Sequence, residues 1–220
     1  MATRPGRTTS GAEPVEEAST RELIVRTALR RFSEQGFDGA STRSIAQTAG
    51  VNQGLIPYYF KTKQALWREA VDLAFSELHE ALGSFEAVVD AKPSREELAR
   101  LLRRYVQFVA AHPEFVLLMN EEGKRSGPRM RWITDRHVKP LFDSLTRLFE
   151  GIRGEAGFAP GVPGIHFNYI FAGAVGLIFS QAPECQRVAD YDPTTPDAIA
   201  AHADALVALF FGEASLGRAD

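Results

Sequence analysis

Cysteine is almost missing from this sequence: Cys185 is the one thiol in 220 residues, so no disulfide can form within the chain. That usage suits a reducing compartment, and a cytoplasmic location is expected. A dominant charge is missing too. Lys and Arg total 25 against 28 Asp and Glu, for a formal net charge of −3. The chain as a whole is therefore not a general polyanion binder. Long apolar runs are scarce. The uncharged stretch from Ile165 to Ala182 is barely long enough to span a bilayer, and His166, Asn168, Ser180 and Gln181 interrupt it. It reads as a buried helix, and no membrane partner is expected. Residues 1–18 have no apolar core of the kind a signal peptide needs. No run of alternating apolar and polar residues marks strands, and no segment repeats. Nucleophile motifs, phosphate loops and dinucleotide fingerprints are absent, which argues against an enzyme and against a cofactor. None of the five histidines (His79, His112, His137, His166 and His202) pairs with another His or Cys at ligand spacing, so no metal is expected.

What is present is unevenly distributed. Between Ser19 and Leu66 stand Arg21, Arg26, Arg30, Arg31, Arg43, Lys61 and Lys63 against only Glu22, Glu34 and Asp38, a local charge of +4. Residues 67–220 carry sixteen Lys and Arg against twenty-two acids, about −6. A basic head on an acidic body points to a module that faces a polyanion, attached to one that does not. Residues 1–18 are rich in Thr, Ser, Gly, Pro and Glu, with one Val and no aromatic. They are expected to form a disordered tail whose Arg4 and Arg7 are solvated. Three parts follow: the tail at 1–18, a head at 19–66 and a body at 67–220.

The head opens on Ser19, with Glu22 three residues later, in the pattern of a capping box. Ile24, Ala28 and Phe32 recur every four residues, joined by Leu29, which gives one apolar helical face. Gly36 is expected to end this helix as a left-handed cap. Ser41 caps a second helix carrying Ile45 and Ala46, closed by Gly50, and Asn52 caps a third that runs to Phe60. Two short helices joined by the tight turn Ala49-Gly50-Val51-Asn52 are the pattern of a helix-turn-helix. Ile45, Val51, Ile56 and Phe60 lock the pair together while the second helix offers its first residues to a DNA major groove.

From Leu23 to Leu66 the sequence resembles the DNA-binding domain of the tetracycline-repressor family. The matching residues are Ile24, Ala28, Phe32, Gly36, Phe37, Ile45, Ala46, Gly50, Val51, Ile56, Tyr59, Phe60, Lys63 and Leu66. The resemblance covers about a fifth of the chain. It implies a homodimeric regulator that binds a double-stranded operator and answers to a small-molecule effector. By position, Ser41, Thr42 and Arg43 would hold phosphate, and Arg43 can also reach a base. Gln53 would read an adenine edge, Gly54 would let the backbone approach, and Leu55 would touch a thymine methyl. Tyr58 and Tyr59 would give hydroxyls to phosphates, and Lys61 and Lys63 would supply salt-sensitive charge. Pro57 departs from the family, standing where a phosphate-contacting tyrosine is frequent. It removes a helical donor and is expected to strain or kink the start of the reading helix, with Tyr58 taking over the contact.

The body reads as helices at about 63–82, 94–111, 113–122, 128–153, 164–181 and 196–212, divided by Pro and Gly. The whole is therefore all-α, a three-helix DNA-binding head followed by a helical ligand-binding and dimerisation domain, with about nine helices. The resemblance implies an enclosed pocket among the middle helices, and helix faces suggest Leu102, Tyr105, Phe108, Val109, Met119, Ile133, His137, Leu141, Phe167 and Phe171 as its wall. Such a wall favours an apolar or aromatic ligand. Pro140 should kink the long helix, and Cys185 is taken as an inert loop thiol. Ala172, Gly173, Ala174 and Gly176, with Ile199, Ala203, Leu206 and Phe210, are the expected dimer faces of the last two helices. The expected function is a ligand-released repressor. The alternatives are a helical small-molecule-binding enzyme and a DNA-binding regulator that works through protein partners without a ligand.

Overall fold

The computed structural model of the protein describes residues 13–83, 85–152 and 161–212. Every regular element among them is helical. The chain divides into two compact units, Met1–Leu73 and Ala74–Asp220.

The first unit contains α1 (Glu13–Gly39), α2 (Thr42–Ala49), α3 (Leu55–Phe60) and the first half of α4 (Lys63–Leu82). Helix α1 starts at Glu13, so Ser19 is an interior helical residue and not a cap. Pro14 stands in the first described turn, where a missing backbone N–H costs nothing. The expected tail is thus shorter at its end, and residues 1–12, with Arg4 and Arg7, lie outside the described residues. Gly36 does interrupt α1, at φ 69° and ψ 171°. That ψ is extended, so this is a break and not the left-handed cap expected; a further turn follows, closed by the Ala40 N–H donating to the Gly36 carbonyl. The core of the unit is Ile24, Ala28, Phe32, Ile45, Ile56, Leu66 and Trp67, each at most 2% exposed. Leu66 and Trp67 lie on α4, which is why the first turns of that helix belong with the head. Phe37 links the two ends of this core, stacked on Phe32 and edge-on to Trp67.

The second unit holds the rest of α4, then α5 (Phe85–Asp90), α6 (Arg95–Ala111), α7 (Pro113–Gly123), α8 (Pro128–Ile133), α9 (Lys139–Ile152), α10 (Gly164–Ser180), α11 (Ala182–Ala189) and α12 (Pro196–Phe211). Two of these were not anticipated: α5, and α11, which places the half-buried Cys185 on a helix and not in a loop. Helix α6 is the centre of the unit, packed against α12, α10 and α7. Its start is fixed by a capping box. The Ser94 hydroxyl accepts from the Glu97 N–H at 3.3 Å, and the Glu97 carboxylate accepts from the Ser94 N–H at 2.7 Å. That second bond holds the Glu97 carboxyl below its usual range.

Pro140 acts differently from a simple kink. The five residues Thr134–Val138 just before α9 form a π turn, and the Lys139 N–H donates to the Thr134 carbonyl. A wider turn accommodates a proline that can neither donate nor tolerate the preceding carbonyl in α geometry.

The small-residue stripe of α10 also divides. Gly176 is buried, and a β-carbon there would lie 3.2 and 3.3 Å from the two Val116 methyls, so its smallness serves packing against α7. Gly173 faces open space. On α12 the face expected at a dimer interface points inward: Ala203 and Leu206 are buried, and Ile199 and Phe210 half-buried. That face packs on α6, because it is the more apolar one and α6 offers the matching stripe. What α10 and α12 leave exposed is a different set, with Tyr169 at 74%, Ile170 at 55%, Leu177 at 54% and Leu209 at 72%.

No single described helix is long and apolar enough to cross a membrane. The bent pair Gly164–Ser180 and Ala182–Ala189 meets the length and composition together, at a 73° bend.

Candidate nucleic-acid interface and ligand cavity

The reading element is set by two caps. Ser41 accepts from the Ser44 N–H at 3.0 Å while the Ser44 hydroxyl accepts from the Ser41 N–H at 3.2 Å. This reciprocal pair starts α2 with Ser41 and Arg43 exposed and Thr42 half-buried. Gly50 then ends α2 in the left-handed region, at φ 67° and ψ 27°, and its N–H reaches back to the Ala46 and Gln47 carbonyls. A side chain at this φ costs roughly 1–2 kcal/mol, which explains glycine at the turn.

Helix α3 begins later than the sequence suggested. Asn52 accepts from the Gly54 N–H through its side chain at 2.8 Å; residues 52–54 form a turn that brings Gly54 into right-handed helical dihedrals, and the helix proper runs from Leu55. Gly54 sits close under that side chain; a β-carbon there would press on the Asn52 carbonyl oxygen at 3.2 Å. The late start removes the strain anticipated at Pro57. Pro57 is the third residue of α3, where a backbone N–H has no intrahelical partner to lose. The Gln53 carbonyl is occupied instead by the Ile56 N–H at 3.2 Å, and no kink arises within this six-residue helix.

Around this element the expected contact residues share one accessible edge. Gln53, Gly54, Pro57 and Lys61 are exposed, Tyr58 is 67% exposed, and Leu55 and Tyr59 are half-buried. Ile56 and Phe60 point the other way and are buried. Tyr58 and Tyr59 meet edge-to-face at 5.0 Å, which holds both rings at the rim. Lys63 is the exception in the set. It is half-buried, and its ammonium lies 4.5 Å from the centre of the Phe37 ring, so part of its charge is spent on a cation–π contact within the head.

The second unit holds a partly open apolar cavity of about 70 Å³. Leu78 and Leu82 of α4, Leu98, Leu101, Leu102 and Tyr105 of α6, and Phe210 and Phe211 of α12 form part of its wall. Leu141, Leu145, Leu148, Phe149 and Ile152 of α9 and Phe167 and Phe171 of α10 complete it. Of the wall expected from sequence, Leu102, Tyr105, Leu141, Phe167 and Phe171 are there. Phe108, Val109, Met119, Ile133 and His137 are not. Phe108 packs edge-on to Phe115 and stacks on His112, and His137 stacks on Phe75 at 4.3 Å. Val109 and Ile133 are wholly buried elsewhere in the core, and Met119 lies on α7, which contributes nothing to the wall. The residues missed were legible as a stripe: Leu141, Leu145, Leu148 and Ile152 recur at helical spacing on α9.

Among the described residues, Tyr105 brings the only hydroxyl to this wall. Its ring stacks parallel to Phe171, 8° apart. Burial pushes its pKa up to about 12, so at neutral pH it is a proton donor in an otherwise hydrocarbon chamber. Beside the chamber, the buried Asn168 amide donates to the Thr146 hydroxyl and the Gly164 carbonyl, both at 2.9 Å, which pins α10 to α9.

Comparison with known proteins places this geometry in context. Residues 24–70 match the profile described as bacterial regulatory proteins, tetR family, and residues 95–209 match the tetracyclin repressor-like C-terminal domain. Among curated relatives, the transcriptional repressor NicS of Pseudomonas putida is 25% identical over 153 residues, 70% of each chain. The probable HTH-type transcriptional regulator YttP of Bacillus subtilis is 27% identical over 106 residues, 48% of this chain, and the chain spans about half of its length (51%). The regulator AcrR of Shigella flexneri is 37% identical over 78 residues, 36% of each chain. Two solved structures share the fold. AibR, in complex with isovaleryl coenzyme A and operator DNA, superposes with a TM-score of 0.65 at 18% identity, covering 88% of this chain and 98% of its own. FadR of Bacillus subtilis, in complex with stearoyl-CoA, gives 0.59 at 19% identity, covering 87% and 98%.

Proposed function

This chain belongs to the tetR family of bacterial regulatory proteins, and from that membership we propose that it is a cytoplasmic, homodimeric repressor released from its operator by a small apolar effector. The observation that carries the reading is the sorting of the head. Every large apolar residue of α2 and α3 except Leu55 and the two tyrosines is buried, and what remains outside is a polar, aromatic and basic edge. Gln53 reads a base edge, Ser41, Thr42, Arg43, Tyr58, Tyr59 and Lys61 hold phosphates, Lys63 adds charge at the margin, and Gly54, Leu55 and Pro57 lie against the groove. The head comprises the first compact unit, and effector binding and dimerisation belong to the second. The protein acts by binding and not by catalysis.

The cavity wall, hydrocarbon among the described residues save for Tyr105, supports an effector with an apolar group. A thioester or carboxyl oxygen near Tyr105 would accept a hydrogen bond from its hydroxyl. Both structural neighbours named above hold acyl-CoA molecules, and a hydrocarbon wall suits an acyl group. Dimerisation is supported by the exposed row Tyr169, Ile170 and Leu177 on α10 with Leu209 on α12, a patch too apolar to be left in water.

The test has two steps. An operator is selected from random duplexes by the purified protein, and binding is followed by fluorescence anisotropy. Isovaleryl-CoA, stearoyl-CoA and free CoA are then added. Release by an acyl-CoA and not by free CoA is the expected outcome. Failure to select any sequence would overturn the DNA assignment, and equal release by all three would overturn the cavity assignment.

A further inference from the structure

Away from the cavity and the reading edge, the second unit gathers three side chains with a different chemistry. Glu77 of α4, His112 between α6 and α7, and Glu114 of α7 bring one ligand atom each to within 4.8 Å of the others. We propose that Glu77, His112 and Glu114 form a divalent transition-metal site, of zinc-binding type, that fastens α4 to the α6–α7 corner.

Distance is the first argument. The His112 Nδ1 lies 3.6 Å from Glu77 Oε2 and 3.4 Å from Glu114 Oε1. Both exceed the usual N–H···O range of about 2.7–3.2 Å. Zinc binds imidazole nitrogen and carboxylate oxygen at about 2.0–2.2 Å, and a tetrahedron of that radius has edges of about 3.3–3.6 Å. The two separations from the imidazole match such edges, and the two carboxylates come within 4.8 Å of each other.

Preorganisation is the second. His112 is clamped at both ends of its backbone: its N–H donates to the Phe108 carbonyl at 2.9 Å and its carbonyl accepts from the Phe115 N–H at 3.0 Å. Its ring stacks on Phe108 with centroids 4.5 Å apart, which leaves the imidazole edge toward the carboxylates. Glu114 follows Pro113 in the first turn of α7, so its backbone is fixed as well. The third argument is access. The three side chains are 13%, 32% and 26% exposed, enough for an ion to enter and for water to fill a fourth position. One imidazole with two carboxylates suits zinc or its neighbours in the first transition row; magnesium prefers a shell of oxygens in octahedral array.

The proposal is tested on the tag-free full-length protein after dialysis against a chelator. Zn²⁺ is titrated in competition with a chromophoric chelator, and melting temperature is recorded against free Zn²⁺. One equivalent per chain and a melting temperature that climbs with the logarithm of free zinc are expected. Mg²⁺ should produce neither. Glu77→Gln with Glu114→Gln, which keeps both side-chain shapes, should abolish the stoichiometric binding while circular dichroism stays helical. Cobalt(II) on the wild type gives a second readout that needs no variant: d–d absorption of a four-coordinate site without a thiolate charge-transfer band. The proposal is overturned by the absence of stoichiometric binding, by unchanged affinity in the double variant, or by a thiolate band, which would move the metal to Cys185. A cluster that is merely a protonated imidazole between two carboxylates gives the first of these results.

Discussion

Gly173 and Gly176 are three residues apart on one helix, yet only Gly176 packs within the chain, and under the proposed dimer their substitutions should separate. At Gly176 a β-carbon meets the Val116 methyls at 3.2 and 3.3 Å, so any larger side chain must displace α7 or α10. Overpacking of this kind costs about 1–3 kcal/mol. Replacing a helical glycine returns up to about 1 kcal/mol of backbone entropy. Gly176→Leu should therefore lose about 1–2 kcal/mol net, which for a chain of this size lowers the melting temperature by roughly 2–8 °C. Its contact is internal, so the protein should remain dimeric. At Gly173 nothing lies within 4 Å of the added carbon, and the neighbours on its face are the exposed Tyr169, Ile170 and Leu177. Gly173→Arg should leave the fold intact but place a bulky charge on each copy at the proposed dimer surface, and so yield monomers. Sedimentation velocity at micromolar protein, with urea denaturation of the same samples, reads both effects. A Gly176→Leu protein that turns monomeric with unchanged midpoint, or a Gly173→Arg protein that stays dimeric, would show that the dimer face has been taken from the wrong side of α10.

The site geometry sets further outcomes in the cavity and on the DNA face. Tyr105→Phe removes the only hydroxyl that the described residues bring to the cavity wall, so operator affinity should persist while the effector concentration needed for release rises about tenfold, the worth of one hydrogen bond of ~1.4 kcal/mol; equal release curves would exclude Tyr105 from effector contact. Because the folded pKa of Tyr105 is raised from 10.0 to about 12, its contribution to stability is complete below pH 10 and is lost as pH climbs from there toward 12; Tyr105→Phe should flatten that alkaline loss in urea melts. On the DNA side, Gln53→Ala should cost about 1–3 kcal/mol at the selected operator and relax preference at one base pair, whereas Lys61→Ala should weaken specific and scrambled duplexes alike and lower the slope of log affinity against log salt by about one. Anisotropy titrations at several salt concentrations measure both, and a Gln53→Ala protein with undiminished preference would remove that residue from base readout.

The head was legible from sequence because its determinants are local. Ser41 and Gly50 bracket α2 through bonds to residues three or four away, and Ile45, Ile56 and Phe60 repeat at spacings that place them on facing sides of two short helices. What sequence misjudged there was also local, but concerned competition between two permitted choices. Ser19 and Glu22 make a capping pattern that loses to an earlier start at Glu13. Asn52 closes a turn before α3 can begin, and that delay turns Pro57 from a helix breaker into a first-turn residue. A proline is disruptive or harmless according to where the helix starts, and the start is set here by one side-chain hydrogen bond.

The body was legible only as helices, because the phase of each helix around its axis is decided by neighbours distant in sequence. On α12, Ala203 and Leu206 and their exposed neighbour Leu209 are all apolar, so composition alone does not say which face meets α6 and which stays exposed. On α6 the same ambiguity put Phe108 and Val109 in the expected cavity wall when the wall takes Leu98, Leu101, Leu102 and Tyr105, about one turn earlier. The cluster of Glu77, His112 and Glu114 lay beyond a search for paired His and Cys because two of its three members are carboxylates and one stands thirty-five positions before the histidine. Only a fold that brings α4 beside the α6–α7 corner makes those three neighbours. The same packing makes α4 the helix on which three features converge: Leu66 and Trp67 in the core of the head, Glu77 in the cluster, and Leu78 and Leu82 in the cavity wall. A ligand that fills the cavity and an ion that holds Glu77 would act on adjacent residues of one helix, so each should alter the affinity of the other, and by linkage the factor must be the same in both directions.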